Sequence, residues 1–462
     1  MRADTKPEPV STVGGGVRAT RRRVLAGAGA VAAAAVAAPL VAACQSQTPT
    51  TTKSGPAKVV VMTDSHEFSD DDRKLLQDTT KVQIELVEAD LTRLYAMYAA
   101  GNPPDIFRVQ AAGVPQYIAR RMLKDLQQYF ANSKLLKPDD LAPANNFYKW
   151  DGKKIGSGDL YGMVKDWSPD FTLFAYTKAF DDAGVKVPSD TQALSYDELA
   201  ALAKKVNKTQ GGKRVYWGFV HSNNDQWIDR TAMNMLAEKG QTLYSADFLK
   251  LNIAANPEAT KVVRFLFDLA KDGVHQNPLD PSPNWMGADF NEGQIAILQY
   301  GFWYSAMAES DKTKGKVVFL PAPTWSGVRR DPTMTATGWV ISAQTKDPDA
   351  AWAVFEQYMG GKPAQDRAKS GWGVPGVKSM YSLMPQETPF QKQVQKVLQS
   401  ELKQSEFTLA FNPYIGEETF STSWKKHLEP ALKGSITFDK FVQNIEADVN
   451  AAIADGKRIT GN

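Results

Sequence analysis

Tryptophan is the residue type here with the most binding chemistry to offer, because many of its copies stand in loop-like, polar surroundings. Trp167 lies in KDWSPD, Trp227 in HSNNDQW, Trp285 in PSPNWMG, Trp303 in QYGFWYS, Trp339 in TATGWV and Trp372 in KSGWGVPG. An indole presents a flat apolar face and a single N–H donor. A sugar ring presents an apolar C–H face and a rim of hydroxyls. Stacked indoles with Asp, Asn, Gln and Arg alongside are therefore a way to hold such a ligand. Any single tryptophan has core packing as its simpler explanation, and Trp352, inside a helical pattern, is assigned to the core. The catalytic alternatives find little support. The four histidines, His66, His221, His275 and His427, are scattered, with no His-Glu-x-x-His pair to hold a catalytic zinc. There is no Gly-x-Ser-x-Gly elbow and no phosphate-binding loop. No metal, no cofactor and no catalytic residue is expected. A carboxylate pair for glycoside cleavage stays open, because a chain this rich in acids always permits one somewhere.

The lone cysteine, Cys44, cannot form an internal disulfide or a multi-cysteine metal site. Before it stand Thr-Arg-Arg-Arg at 20–23 and then twenty uncharged residues, Val24 to Ala43, eleven of them alanine. A basic start, an apolar stretch and small residues at the end make a secretory signal, and twin arginines fit the twin-arginine export route. Twenty uncharged residues could also span a bilayer. Against that, the stretch is only weakly apolar and holds Pro39. VAAC at 41–44 resembles the bacterial lipobox, which implies that Cys44 carries acyl chains and becomes the first mature residue, held at a membrane surface. The expected division is a signal peptide at 1–43 and a Ser/Thr/Pro-rich tether at 44–56. The formal charge of +3 belongs to this leader. Six of the 54 Lys and Arg and two of the 51 Asp and Glu lie in residues 1–43, leaving 48 and 49 beyond. A near-neutral body lacks the basic face that nucleic acid requires.

The body must position these residues with alternating helix and strand patterns, which argues for an α/β fold. KVVVM at 58–62 is a β-branched run, and Ser69-Asp70-Asp71-Asp72 reads as a helix start, its acids favoured by the first-turn dipole rather than gathered for a metal. KVQIELVEAD at 81–90 alternates as a half-buried strand, and GNPPDIFRV at 101–109 turns into another. Ser195 and Glu198 have capping-box spacing before an apolar stripe. Asn256-Pro257 to Gly273 and Asp347-Pro348 to Gly360 bracket two helices in the same way. The last helix is expected at about 437–454. No internal repeat and no linker divides the chain after residue 57.

Taken in order, these segments resemble the family 1 extracellular solute-binding proteins of ABC importers, the maltodextrin-binding group. GNPPDIF, the stretch DLYGMVKDWSPDFTLFAYTK, FNEGQIAILQYGFWY, VFLPAP, GWVISAQTKDPDAAWAVFEQYM, GWGVPGVKS and FNPYIGEE carry the likeness over about residues 58–455. Val164 stands where the family usually has proline, and Thr177 where it usually has asparagine. The resemblance implies a two-lobed, type II periplasmic-binding-protein-like α/β fold, with crossover strands joining the lobes and a ligand cleft between them. The lobes are placed at 57–172 plus 341–382 and at 173–340 plus 383–462. It implies ligand contacts at His66 and Glu67, Arg108 and Gln110, Asp166 and Trp167, and Asn223 and Trp227. Trp303 matches the family's stacking aromatic, Trp339 and Trp372 sit beside crossovers, and Trp285 is added on its surroundings alone. Asp105 is read as a structural carboxylate. The implied function is non-enzymatic: capture of a sugar or oligosaccharide and delivery to permease subunits, by a monomer anchored on the outer face of the cell membrane. A secreted carbohydrate-active enzyme is the alternative from another class. A polyol, a sugar phosphate or a peptide would keep the fold and change the ligand.

Overall fold

A computed structural model describes residues 56–221, 227–282 and 284–460. The leader, Cys44 and Asn223 lie outside the described residues.

The β-branched run forms β1 (Lys58–Thr63), whose alternate residues Val59 and Val61 are fully buried. It is flanked in parallel by β2 (Gln83–Glu88) and β3 (Ile106–Val109). A short fourth strand, β4 (Gly162–Val164), belongs to the same sheet. The chain then leaves and builds a second sheet from β5 (Leu173–Tyr176), β6 (Val220–His221), β7 (Ile297–Gln299) and β8 (Val317–Leu320), in the order β6-β7-β5-β8. It returns with β9 (Gly338–Ile341), inserted antiparallel between β3 and β4. Two α/β lobes thus share one chain that passes between them as hydrogen-bonded, non-repetitive segments, which is why composition shows no linker.

Helix boundaries follow their caps. Helix α1 (Asp70–Thr80) has Ser69 as N-cap, and Ser69 and Asp72 exchange both bonds of a capping box at 3.0 and 3.1 Å, so the aspartates serve the first turn. Ser195 and Glu198 cap α2 (Tyr196–Val206) likewise. Helix α3 (Ile228–Ala237) follows, then α4 (Pro257–Lys271), opened by Asn256 and stopped before Gly273 at φ 66°. Asp347 caps α5 (Pro348–Gly360). The last helix, α6 (Phe438–Thr460), outruns its expected end. Gly456, inside this last turn, lies against backbone: a Cβ there would come 1.8 Å from the Tyr414 carbonyl oxygen. Asp105 ties two segments together, accepting from Val60 N at 2.8 Å and Thr345 Oγ1 at 2.6 Å.

The passages between the sheets are fastened to one another. Asp170, on the outward passage, accepts from Met334 N at 2.6 Å and Thr333 Oγ1 at 3.0 Å on the return passage. Asp331, on the return passage, accepts from Phe171 N at 2.8 Å on the outward one. Both carboxylates are buried. A third passage runs from Val374–Pro375, which pairs with Asp166–Trp167, to the helix Pro389–Glu401. Gln393 of that helix bonds both N–H and C=O of Phe319 in β8, at 3.1 and 2.7 Å.

Candidate ligand-binding site

The polar candidates of the first lobe come together at the carboxyl ends of its strands. Glu67, in the turn after β1, accepts from Arg108 Nε and Nη2 of β3, each at 2.9 Å, in a bidentate pair. Lys165, just past β4, places Nζ 3.3 Å from Glu67 and 2.5 Å from the Asp166 carboxylate. Burial alone would raise the Glu67 carboxyl, but the charges of Lys165 and Arg108 outweigh it and hold the group down at about 2. Burial would likewise lower the Lys165 amine; Asp166 and Glu67 overcome that and hold it above its ordinary range. The cluster is a preorganised set of charged groups, each with an opposite partner. His66 is exposed beside it, its backbone N–H donating to Asp64 Oδ1 at 2.9 Å.

The aromatic candidates divide. Trp303, Trp285 and Tyr300 of the second lobe form one group: Trp285 and Trp303 lie nearly parallel, 17° apart with centroids 6.3 Å apart, and the Trp285 indole N–H donates to the Tyr300 hydroxyl at 3.0 Å. Trp372 of the first lobe meets Trp303 across the gap at 5.3 Å. Trp372 also shares a small recess with Lys165, Asp166 and Arg367, which joins the aromatic group to the charged one. Trp285 is 41% exposed and Trp303 and Trp372 are half-buried, so ring face remains for a partner. Gly301 lets the loop bearing Trp303 settle on the passage between the lobes, since a Cβ there would lie 1.9 Å from Asp170 Oδ1.

Trp339 and Trp167 are placed elsewhere. Trp339, in the middle of β9, is fully buried, stacked on Tyr358 at 3.9 Å, and donates its indole N–H to Thr63 Oγ1 at 3.3 Å. Trp167 is buried in the ladder with Val374, its indole N–H on the Pro375 carbonyl oxygen at 3.1 Å. Both sit beside crossovers as expected, but their faces pack protein. Trp352 packs on Phe130 and Phe355 in the core.

Gln110 and Trp227 meet through a residue the sequence reading passed over. Arg230, in the first turn of α3, reaches Gln110 Oε1 at 3.4 Å and holds its guanidinium 5.2 Å from the Trp227 ring. Lys165, Tyr300 and Arg230 were all missed. The available signals were Lys165 adjoining Asp166, Tyr300 adjoining the Trp303 loop, and Arg230 at helical i, i+3 spacing from Trp227. Among the described residues no group of three or more His, Cys, Asp or Glu could hold a metal ion, and no helix is long and apolar enough to cross a membrane.

Two α/β lobes with charged and aromatic groups gathered between them define a two-lobed type II binding fold. Solved structures share it. An ABC substrate-binding protein from Listeria monocytogenes in complex with cycloalternan superposes with a TM-score of 0.70 at 21% identity, covering 86% of this chain and 99% of that one. The sugar-binding protein MalE from Xanthomonas citri gives 0.66 at 18%, covering 87% and 99%. A solute-binding protein from Agrobacterium vitis with bound D-mannitol gives 0.63 at 19%, also covering 87% and 99%. No curated protein matches the chain. The model for bacterial extracellular solute-binding proteins matches residues 47–395, and the chain belongs to that family.

Proposed function

We propose that this protein is the extracytoplasmic substrate-binding component of an ABC importer, capturing a sugar or oligosaccharide between its lobes and delivering it to permease subunits. The observation that carries this reading is the half-open aromatic group, Trp285, Tyr300, Trp303 and Trp372, set beside the carboxyl groups of Glu67 and Asp166. Apolar ring faces next to fixed hydrogen-bond acceptors suit the two sides of a sugar ring. Contacts from Glu67, Arg108, Gln110, Asp166, Trp227, Trp285, Trp303 and Trp372 are assigned on this ground, with His66 and Asn223 retained from the motif series. The lobes divide near the expected 57–172 plus 341–382 and 173–340 plus 383–462, with the return boundary moved ahead of Gly338 so that β9 stays whole in the first lobe's sheet. Cys44 is the lipid attachment point, and the protein acts as a monomer on the outer face of the membrane without cofactor or catalysis.

A thermal-shift and calorimetric panel of mono- and oligosaccharides, polyols, sugar phosphates and peptides tests the ligand class, because a ligand of the native state raises its stability by mass action. A sugar is expected to raise the melting temperature. A shift with a peptide alone, and none with any sugar, refutes the sugar reading. New reducing ends on incubation with oligosaccharide would move the protein to the carbohydrate-active enzymes. Mass spectrometry of the mature N-terminus tests the anchor, and an unmodified Cys44 removes it.

A further inference from the structure

Arg230 is fully buried, yet it is not sequestered in one lobe's core. Its Nη1 donates to the Met334 carbonyl oxygen at 2.8 Å, on the return passage, and to Gln110 Oε1 at 3.4 Å, at the end of β3 in the first lobe. Its Nη2 pairs with Glu417 Oε2 at 3.3 Å. One guanidinium in the second lobe therefore touches the opposite lobe, the connection between them and the C-terminal segment. A planar fork with five fixed donors suits this task in a way an amine cannot.

The surroundings give the contact direction. Arg230, Asn234 and Glu238 fall at i, i+4 and i+8 along α3 and face one stretch of the return passage. Asn234 Nδ2 donates to the Arg330 carbonyl oxygen at 3.4 Å, and Glu238 Oε2 accepts from Trp325 N and Ser326 N, both at 2.8 Å. The helix is thus laced to the passage, and Arg230 is the end of the lacing that reaches across. Trp227, one turn earlier, has φ 62°. A bulky residue in the left-handed region is strained and persists only where neighbours over-determine it. The neighbours here are Arg230 N, which donates to the Trp227 carbonyl oxygen at 2.9 Å, and the guanidinium over the indole.

We propose that Arg230 is a positioning residue: a clasp that sets Trp227 of one lobe and Gln110 of the other in a single register and so stabilises the closed arrangement. The proposal rests on the ligand reading above for its effect on affinity, but lobe closure is measurable without ligand. The test uses Arg230→Met, which keeps volume and removes every polar bond, with Arg230→Lys as the conservative variant. Calorimetry and dissociation kinetics are run with the best sugar of the panel, and small-angle X-ray scattering is run on ligand-free protein. Losing a charge-assisted link between the lobes is expected to weaken sugar binding about tenfold, mostly through faster dissociation. The ligand-free radius of gyration is expected to increase, and Arg230→Lys should fall between wild type and Arg230→Met in both readouts. Gln110→Ala, which leaves the guanidinium bonded to Met334 and Glu417, is expected to expand the ligand-free protein in the same sense and guards against misfolding of Arg230→Met. An unchanged radius of gyration in folded Arg230→Met, or in Gln110→Ala if Arg230→Met does not fold, overturns the clasp whatever the affinity or melting temperature. Failure of wild type to bind any sugar refutes the ligand reading instead and leaves scattering to decide the clasp.

Discussion

Replacing Glu67 by Gln tests whether the charged cluster at the strand ends contributes to stability or only coexists with it. The substitution keeps side-chain shape and one acceptor oxygen but removes the charge facing Arg108 and Lys165. The Glu67 carboxyl is held at about 2, against an ordinary value of 4.5, and a difference of that size corresponds to about 3 kcal/mol of folding stability. The sign follows from the direction of the shift. A carboxylate depressed by folding contributes its full share above its unfolded value, and the share is lost as pH falls from about 4.5 toward 2. Glu67→Gln is therefore expected to unfold more easily than wild type at neutral pH by about 3 kcal/mol, a figure also typical of breaking a buried pair. As the pH falls below about 4.5 the two proteins are expected to converge. Urea unfolding followed by tryptophan fluorescence, repeated from neutral pH to about 2.5, measures both quantities. Two parallel stability curves across that range, or equal stability at neutral pH, would refute the argument that ionised Glu67 holds this corner together.

Trp303→Ala and Trp339→Ala are expected to separate: the first weakens sugar binding by one to two orders of magnitude with little loss of stability, and the second costs about 3–5 kcal/mol of stability. Below its own unfolding transition Trp339→Ala keeps its affinity, so calorimetry beside thermal melts checks the pair. Asp229→Asn is expected to stabilise the protein at neutral pH, because burial raises the Asp229 carboxyl to about 6 against the pull of Arg230. A raised carboxyl loses stability as pH climbs from its ordinary 3.8 through about 6, so the gain, up to about 3 kcal/mol, should vanish near pH 4 in a pH series of melts. Gly301→Ala is expected to lower both melting temperature and sugar affinity, since its new methyl would strike Asp170 Oδ1 and Ser168 Oγ, 1.9 and 2.3 Å from the ideal Cβ position.

Much of the fold was legible because its signals are local. Capping boxes at Ser69 and Ser195, the Asn256-Pro257 and Asp347-Pro348 starts, and the β-branched run at 58–62 act through neighbours in sequence, and each appears where its pattern stands. Asp105 was readable as a structural acid from its proline turn, although the partners it ties, Val60 and Thr345, are distant in sequence. The α6 terminus was not, because Gly456 answers to Tyr414, more than forty residues away. The site divides along the same line. Pairing of Glu67 with Arg108 depends on strand order, yet both could be named from ordered motifs. Trp339 and Trp303 look alike in sequence, each an indole just after a glycine, at one and two residues' distance, in a short apolar run. Only the stacking of Trp339 on Tyr358, brought in by α5, turns one inward and leaves the other half open. Lys165 and Arg230 had only weak local signals, because a buried cation is tolerable only with partners, and Glu67 for the one and Glu417 and Gln110 for the other come from distant segments.

The reciprocal bonds of Asp170 and Asp331 have a mechanical consequence. The pins join neighbouring residues, Asp170 and Phe171 on one ribbon and Asp331 to Met334 on the other, so they form a single crossing point that resists sliding. The two ribbons then act as one connection rather than as separate tethers. Because Gly301 rests against Asp170, the loop holding Trp303 is seated on that pinned crossing, and a change of the connection at Asp170 would be felt directly at one indole of the site.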